Sequence, residues 1–331
     1  MIQHSESPVA AAAAPDQIKK ERMTENLFRD MGMLLPYLDD SAVTDISVVD
    51  SGEVIVTRFG KGREFTGKKM PDYVAERIIR AVGAINGHKL DTSAGFPVLQ
   101  GVIPRYNARI TGLVPPNAVR PELQIRRPPA EIYTLEEYVQ SGRMTKDQYG
   151  TVCSCIEQRG NIIVSGSTGS GKTTLVNAVI KKMEEYTPDE CFYIIEDLPE
   201  LQCRARMKTM LCVPPEDVLR AVRIAGMRWT PDRLIFGEVR TAEVMYALLD
   251  AWKTGHDGNV TTIHAKDGKS TLLRIKDMVV KQDAEMAEHL SDVISLVVHL
   301  RRTADGIRVD EICPVTDDTD AFIASVAQDI A

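Results

Sequence analysis

Residues Gly166-Ser167-Thr168-Gly169-Ser170-Gly171-Lys172-Thr173 spell G-x-x-x-x-G-K-[ST], and the apolar run Asn161-Ile162-Ile163-Val164-Ser165 leads straight into them. The stretch after them, Thr174-Leu175-Val176-Asn177-Ala178-Val179-Ile180, is compatible with a helix. A buried strand, a glycine-rich turn and a helix N-terminus in that order describe a phosphate-binding loop, and they restrict the surrounding chain to an α/β sheet fold. The glycines remove the Cβ atoms that would keep backbone N–H groups from wrapping a β-phosphate. Lys172 neutralises β/γ oxygens, and the Thr173 hydroxyl is placed to ligate Mg²⁺. The expected binding set for a nucleoside triphosphate is therefore Gly166, Ser167, Thr168, Gly169, Ser170, Gly171, Lys172, Thr173 and Thr174.

The second half alternates strand and helix in the manner of a mainly parallel sheet. Strands are expected at 161–165, 192–195, 210–213, 234–236 and 260–263, with helices near 173–185, 216–226, 241–253 and 270–281. Functional side chains in such folds lie at the carboxyl ends of strands. Glu196 and Asp197 end the second strand, Glu238 follows the fourth after Gly237, and His264 follows the fifth. Carboxylates near Thr173 suit Mg²⁺, which prefers oxygen ligands and keeps several waters. The metal set is expected to be Thr173, Glu196, Asp197 and Glu238, and Glu238 or Glu196 would orient an attacking water. His264 and His256 are both placed to sense a γ-phosphate, with satisfied loop histidines as the alternative.

The first half reads as a smaller α+β domain. A helix is expected over 24–37, two strands over 43–48 and 53–57 joined by a turn at Asp50-Ser51-Gly52, and a helix over 71–86 closed by Gly87. Residues 1–20, rich in Ala, Ser and Pro, read as disordered. From Gly101 to Ala130 the chain carries Arg105, Arg109, Arg120, Arg126 and Arg127 with Glu122 as its one acid. Arg rather than Lys suits bidentate recognition of phosphate oxygens. Arg109 and Arg126 alternate with apolar neighbours on expected strands, and Pro128-Pro129 opens a linker. The domain reading is 1–20 disordered, 21–127 N-terminal domain, 128–147 linker and 148–331 nucleotide-binding domain.

These residues resemble the secretion and pilus traffic ATPases of type II and type IV systems, and within them the conjugative-transfer ATPases of the TrbB branch. Four stretches carry the resemblance in order along the chain. They are the loop 166–173, the Asp box Ile195-Glu196-Asp197-Leu198-Pro199-Glu200-Leu201, the Walker B region from Pro231 to Arg240, and the His box from Thr254-Gly255-His256 to Thr262-Ile263-His264-Ala265. The resemblance implies a RecA-like P-loop domain preceded by a PAS-like N-terminal domain, ATP and Mg²⁺ as ligands, a homo-oligomer in the form of a hexameric ring, and Arg109 and Arg126 reaching the phosphates. Lys172, Glu238, Glu196, His264 and Arg240 are the catalytic set expected on this basis. The family's usual Arg-Gly after the Walker B glutamate is Arg240-Thr241 here. It also implies inner-membrane components of a secretion or conjugation channel as partners.

Bulk properties bound the rest. A formal net charge of −7 argues against a protein that coats nucleic acid by bulk charge. Six cysteines include no C-x-x-C pair, so neither a zinc knuckle nor a disulfide framework is expected. No run of about 18 apolar residues exists, so a cytoplasmic protein with at most peripheral membrane contact is expected. Three readings stand: an ATP-hydrolysing hexameric motor for export or pilus assembly, a nucleic-acid motor on the same core, and a nucleotide-gated assembly scaffold in which binding without turnover matters.

Overall fold

The computed structural model describes residues 15–58, 61–87, 98–116, 118–128, 132–303 and 306–328. The chain forms two compact units, Met1–Ala130 and Glu131–Ala331. In the first, α1 (Pro15–Asp30) and α2 (Leu35–Asp39) precede β1 (Val43–Val48), β2 (Glu53–Arg58) and β3 (Gly62–Lys69). Then come α3 (Asp72–Ile85), β4 (Val98–Ile103), β5 (Ala108–Leu113) and β6 (Glu122–Arg126).

The six strands make one antiparallel sheet in the order β3-β2-β1-β6-β5-β4. Alternate residues fall on opposite faces. Ile46, Val54, Val56, Ile110 and Ile125 therefore meet Leu27, Met31, Ile78, Ile79 and Val82 in one buried layer. The helix α3 lies close enough to the sheet that a Cβ at Gly112 would stand 2.6 Å from the Ile79 side chain. The β1–β2 turn needs its glycine, since Gly52 has φ +75 and a Cβ there would lie 2.9 Å from the Met70 carbonyl oxygen.

Two local expectations change. One helix over 24–37 becomes α1, a short 3-10 turn at Met31–Met33, and α2 with Pro36 in its first turn, where the missing N–H costs nothing. The helix also starts at Pro15, inside the stretch through residue 20 that composition marks as disordered. Lys, Glu, Arg and Met from 19 to 23 are good helix formers, and Leu27 and Met31 bury the helix against α3. Residues 1–14 and Pro129 lie outside the described residues.

The second unit opens with α4 (Leu135–Gln140) and α5 (Lys146–Glu157), each begun by a capping box, at Thr134/Glu137 and Thr145/Gln148. Leu135, Tyr138 and Met144 enter its core, so most of the 128–147 stretch is packed chain. Next come β7 (Ile162–Gly166), α6 (Lys172–Tyr186), β8 (Cys191–Glu196), β9 (Met207–Cys212), α7 (Val218–Arg228), β10 (Arg233–Val239), α8 (Ala242–Lys253), β11 (Val260–Ile263) and α9 (Gly268–Val279). The chain then runs through α10 (Ala284–Glu288), β12 (Leu296–Thr303), β13 (Gly306–Pro314) and α11 (Asp317–Gln328).

The sheet order is β13-β12-β7-β11-β10-β8-β9, parallel except for the β12–β13 hairpin. Both faces are covered, as a parallel sheet requires. Ile163, Tyr193, Ile195, Leu234, Phe236 and Ile263 pack toward α7, α8 and α9. Ile162, Val164, Phe192, Ile194, Ile235 and Val260 pack toward α4, α5 and α6. The fold class is thus α/β, with a RecA-like core that follows a smaller α+β unit in the chain. Strands β7, β11, β10 and β8 are adjacent and parallel, so their carboxyl ends share one edge.

Candidate nucleotide site at the carboxyl edge of the sheet

The loop between β7 and α6 is shaped by three glycines at positive φ: Gly166 (154), Gly169 (71) and Gly171 (85). Gly171 is the left-handed N-cap of α6. At Gly166 a Cβ would lie 2.4 Å from Ser170 Oγ and 2.6 Å from the Leu300 carbonyl oxygen, so no other residue fits. Ser167, Thr168 and Gly169 are exposed at the tip, and Lys172 is buried beneath them. The buried Ser170 hydroxyl has no hydrogen-bond partner among the described residues.

Lys172 Nζ donates to the carbonyls of Gly166 and Ser167 at 3.2 Å each and to His264 Nδ1 at 3.1 Å. With Nδ1 accepting, His264 is the tautomer that carries its proton on Nε2, which stands 2.9 Å from Glu238 Oε1. Glu238 Oε1 also lies 3.9 Å from Lys172 Nζ. Burial lowers the Lys172 pKa from its ordinary value, against the opposing charges of Glu238 and Glu200. His264 is fixed through its backbone, whose carbonyl accepts from Arg274 Nη1 of α9 at 2.9 Å.

Glu238 reaches this cluster through a β-bulge. The β10–β11 register runs from Phe236↔Thr261 to Val239↔Ile263, so β10 spends one extra residue over that interval. Bulges re-aim side chains at strand ends. Gly237 permits this one, because a Cβ there would stand 3.1 Å from Glu196 Cβ, and Thr262 Oγ1 anchors it by donating to the Gly237 carbonyl at 2.8 Å. Arg240 donates to Glu238 Oε2 at 2.8 Å and also pairs with Asp197.

Glu196, at the end of β8, is buried, and its Oε2 accepts the backbone N–H groups of Glu200 (2.8 Å) and Leu201 (2.9 Å). These two bonds hold the Asp-box turn. The carboxylate on the Thr173 hydroxyl is that of Glu200, with Oγ1 donating to Oε2 at 3.2 Å. Asn177 of α6 secures the same turn, donating to the Glu200 carbonyl at 3.1 Å and accepting from Gln202 N at 2.8 Å. Sequence reasoning left out Glu200 and Asn177. The signal for Glu200 was its place four residues beyond Glu196, after a proline that turns the chain back.

Burial pushes the Glu196 carboxyl up to about 7 from 4.5, with the two N–H groups opposing. A raised folded value favours folding in full below the unfolded pKa, and this contribution is lost as pH rises through the folded one. Stability from Glu196 should therefore fall between pH 4.5 and about 7, by up to about 3 kcal/mol at ~1.4 kcal/mol per unit. Glu196→Gln keeps an oxygen for the N–H groups, and its Tm should fall less than the parent's over that window. Equal pH slopes for the two proteins would contradict this.

Of the two histidines expected at the phosphates, His264 is in the cluster and His256 is not. His256 precedes β11 at the amino edge of the sheet, where its ring nitrogens meet the carbonyls of Pro231 (3.0 Å) and Gly226 (3.2 Å). Arg109 and Arg126 lie in the first unit, on β5 and β6. They are direct cross-strand partners in the register. Arg126 pairs with Asp45 of β1 at 2.9 Å.

Among the described residues no group of three or more His, Cys, Asp or Glu is arranged to hold a metal ion by itself. No helix among them is long and apolar enough to cross a membrane. The edge instead offers an anion cradle of backbone N–H groups at the start of α6, one buried cation, and hydroxyl and carboxylate oxygens beside it.

A family model described as "Type II/IV secretion system protein" matches residues 100–323. The chain is similar to a probable conjugal transfer protein TrbB of Sinorhizobium fredii, 36% identical over 296 residues covering 89% of this chain and 90% of that one. It is 35% identical to a conjugal transfer protein TrbB of Rhizobium radiobacter, over 88% and 90% of the two chains. Among solved structures, the pilus retraction motor PilT with bound ADP shares the fold, with a TM-score of 0.65 and 19% identity over 93% of this chain and 87% of that one.

Proposed function

We propose that this chain, which belongs to the type II/IV secretion system protein family, hydrolyses ATP as a traffic ATPase of type IV secretion and conjugative transfer. The observation that carries the reading is the assembly of Lys172, His264 and Glu238 on one strand edge, beside a glycine cradle that a single Cβ would fill. The relatives named for conjugal transfer supply the biological setting. Mg²⁺ fits the oxygen donors present, and Thr173 with the Glu200 carboxylate would hold it, directly or through water. Bound there with the phosphates, it supplies charge neutralisation of the β/γ oxygens.

The chain's own groups divide the remaining work. The loop N–H groups and the α6 N-terminus bind the phosphates. Lys172, already aimed by two carbonyls and His264, transfers its contacts to β/γ oxygens. Glu238 orients the attacking water from the position its bulge gives it. His264, linked to both Lys172 and Glu238, reports on γ-phosphate occupancy by exchanging the Lys172 contact for the ligand. ATP-dependent phosphate release by the purified chain tests the reading. Tight ATP binding without release would move the assignment to the assembly scaffold.

Arg109 and Arg126 complete the proposal as ligands of the phosphates. Like charges directly opposite on neighbouring strands repel, and Asp45 is ion-paired with Arg126. An anion relieves that repulsion. Arg109→Ala and Arg126→Ala should each lower turnover by about tenfold or more with the fold intact. Parent-like rates in both would mean that the arginines are merely solvated. A ring of identical subunits, six by resemblance, and docking to inner-membrane channel components belong to the same proposal. Mass in solution with and without ATP–Mg²⁺ tests the ring, and a monomer under both conditions would contradict it.

A further inference from the structure

Three carboxylates lie within five residues at the end of β8, and each has a different partner. Glu196 holds the backbone N–H groups of Glu200 and Leu201. Glu200 accepts from the Thr173 hydroxyl. Asp197 accepts from Nη1 of Arg240, whose Nε and Nη2 both point at Glu238 Oε2, 2.8 Å away in each case. One guanidinium therefore bridges the ends of β8 and β10.

The planar guanidinium makes this bridge directional. With Oε2 of Glu238 engaged by two N–H donors, its other oxygen, Oε1, faces His264 Nε2 at 2.9 Å and Lys172 Nζ at 3.9 Å. Glu238 sits at a bulge, where the β10–β11 ladder is interrupted, so the guanidinium is a main determinant of its rotation. Arg240 is 47% exposed and has a long, flexible stem. What fixes the far side of its fork is Asp197. Asp197 follows directly on β8, so its carboxylate stays near the end of that strand.

The geometry points to Asp197 as a positioning residue that sets the orientation of Glu238 through Arg240, instead of serving as a metal ligand. This rests on the hydrolytic reading of the site. Asp197, Arg240 and Glu238 then act as one unit, and changes within one unit do not multiply. A metal ligand would behave otherwise. Its loss would raise the Mg²⁺ needed for half-maximal rate and would combine multiplicatively with the loss of Arg240.

The test is a double-mutant cycle on the full chain with Asp197→Ala, Arg240→Ala and both together, with Asp197→Glu as the conservative variant. Phosphate release is measured against ATP and against Mg²⁺. Each single variant should lower kcat by about tenfold while KM for ATP stays within about twofold, and the double variant should be no slower than Arg240→Ala. The Mg²⁺ requirement should be that of the parent, and Asp197→Glu should recover most of the rate. Multiplicative loss of about a hundredfold, a Mg²⁺ requirement raised severalfold in Asp197→Ala, or an unchanged kcat would each overturn the assignment. If the double variant does not fold, the Asp197→Ala and Asp197→Glu pair with the Mg²⁺ titration still decides. A parent that releases no phosphate removes the hydrolytic reading and this inference with it.

Discussion

Lys172→Ala is expected to lower phosphate release by at least ~100-fold, or about 2.7 kcal/mol of transition-state stabilisation. Lys172 is the only cationic side chain in the loop. Its ammonium is held at the loop by the Gly166 and Ser167 carbonyls and by His264. Burial lowers its pKa, which makes it a poorly solvated cation ready to exchange these contacts for phosphate oxygens. Removing it leaves the carboxylates of Glu238 and Glu200 facing the phosphate charge uncompensated. Binding of a fluorescent ATP analogue should weaken alongside turnover. Parent-like phosphate release from this variant would sink the motor reading.

Glu238→Gln should separate binding from turnover. Gln keeps the length and one oxygen, enough to accept from Arg240 while the contact to His264 is lost, and it removes the charge that would orient water and accept its proton. A loss of kcat of about 10²- to 10⁴-fold is expected, with the affinity for ATP within about threefold of the parent. Steady-state kinetics and titration with a non-hydrolysable analogue check this. An equal loss of affinity and turnover would instead make Glu238 a structural anchor for Arg240 and His264.

The loop was legible because its chemistry is local: positive φ needs glycine, phosphate needs N–H groups and a cation, and both are written within eight residues. Parallel strands β7, β8, β10 and β11 were legible because strands covered on both faces are continuous apolar runs such as Ile162-Ile163-Val164 and Phe192-Tyr193-Ile194-Ile195, whereas β12, parallel to β7 and buried over Leu296–Leu300, was not among the expected strands. β3 carried no such signal, since seven of its eight residues are exposed and it shows no alternation. β13 was missed for a related reason, because it lies at the sheet edge and mixes Arg, Asp and Glu among its apolar residues.

At the site, what could not be read depended on neighbouring strands. The bulge that aims Glu238 exists only relative to the β11 register. Glu196 and Glu200 look interchangeable in sequence. The turn between them sends one into the backbone and the other to Thr173. His256 and His264 flank a four-residue strand, and motif adjacency suggested one role for both, whereas the strand carries them to opposite edges of the sheet.

In the proposed mechanism, ATP held by this loop is split by a water that Glu238 orients. The most direct test of this step is the identity of the nucleotide on the protein after mixing with one equivalent of ATP and Mg²⁺, followed by rapid separation and chromatography. The parent should carry ADP with phosphate released, Glu238→Gln should carry intact ATP, and Lys172→Ala should carry little of either. Intact ATP on the parent after many minutes, with phosphate absent from solution, would rule out hydrolysis at this site.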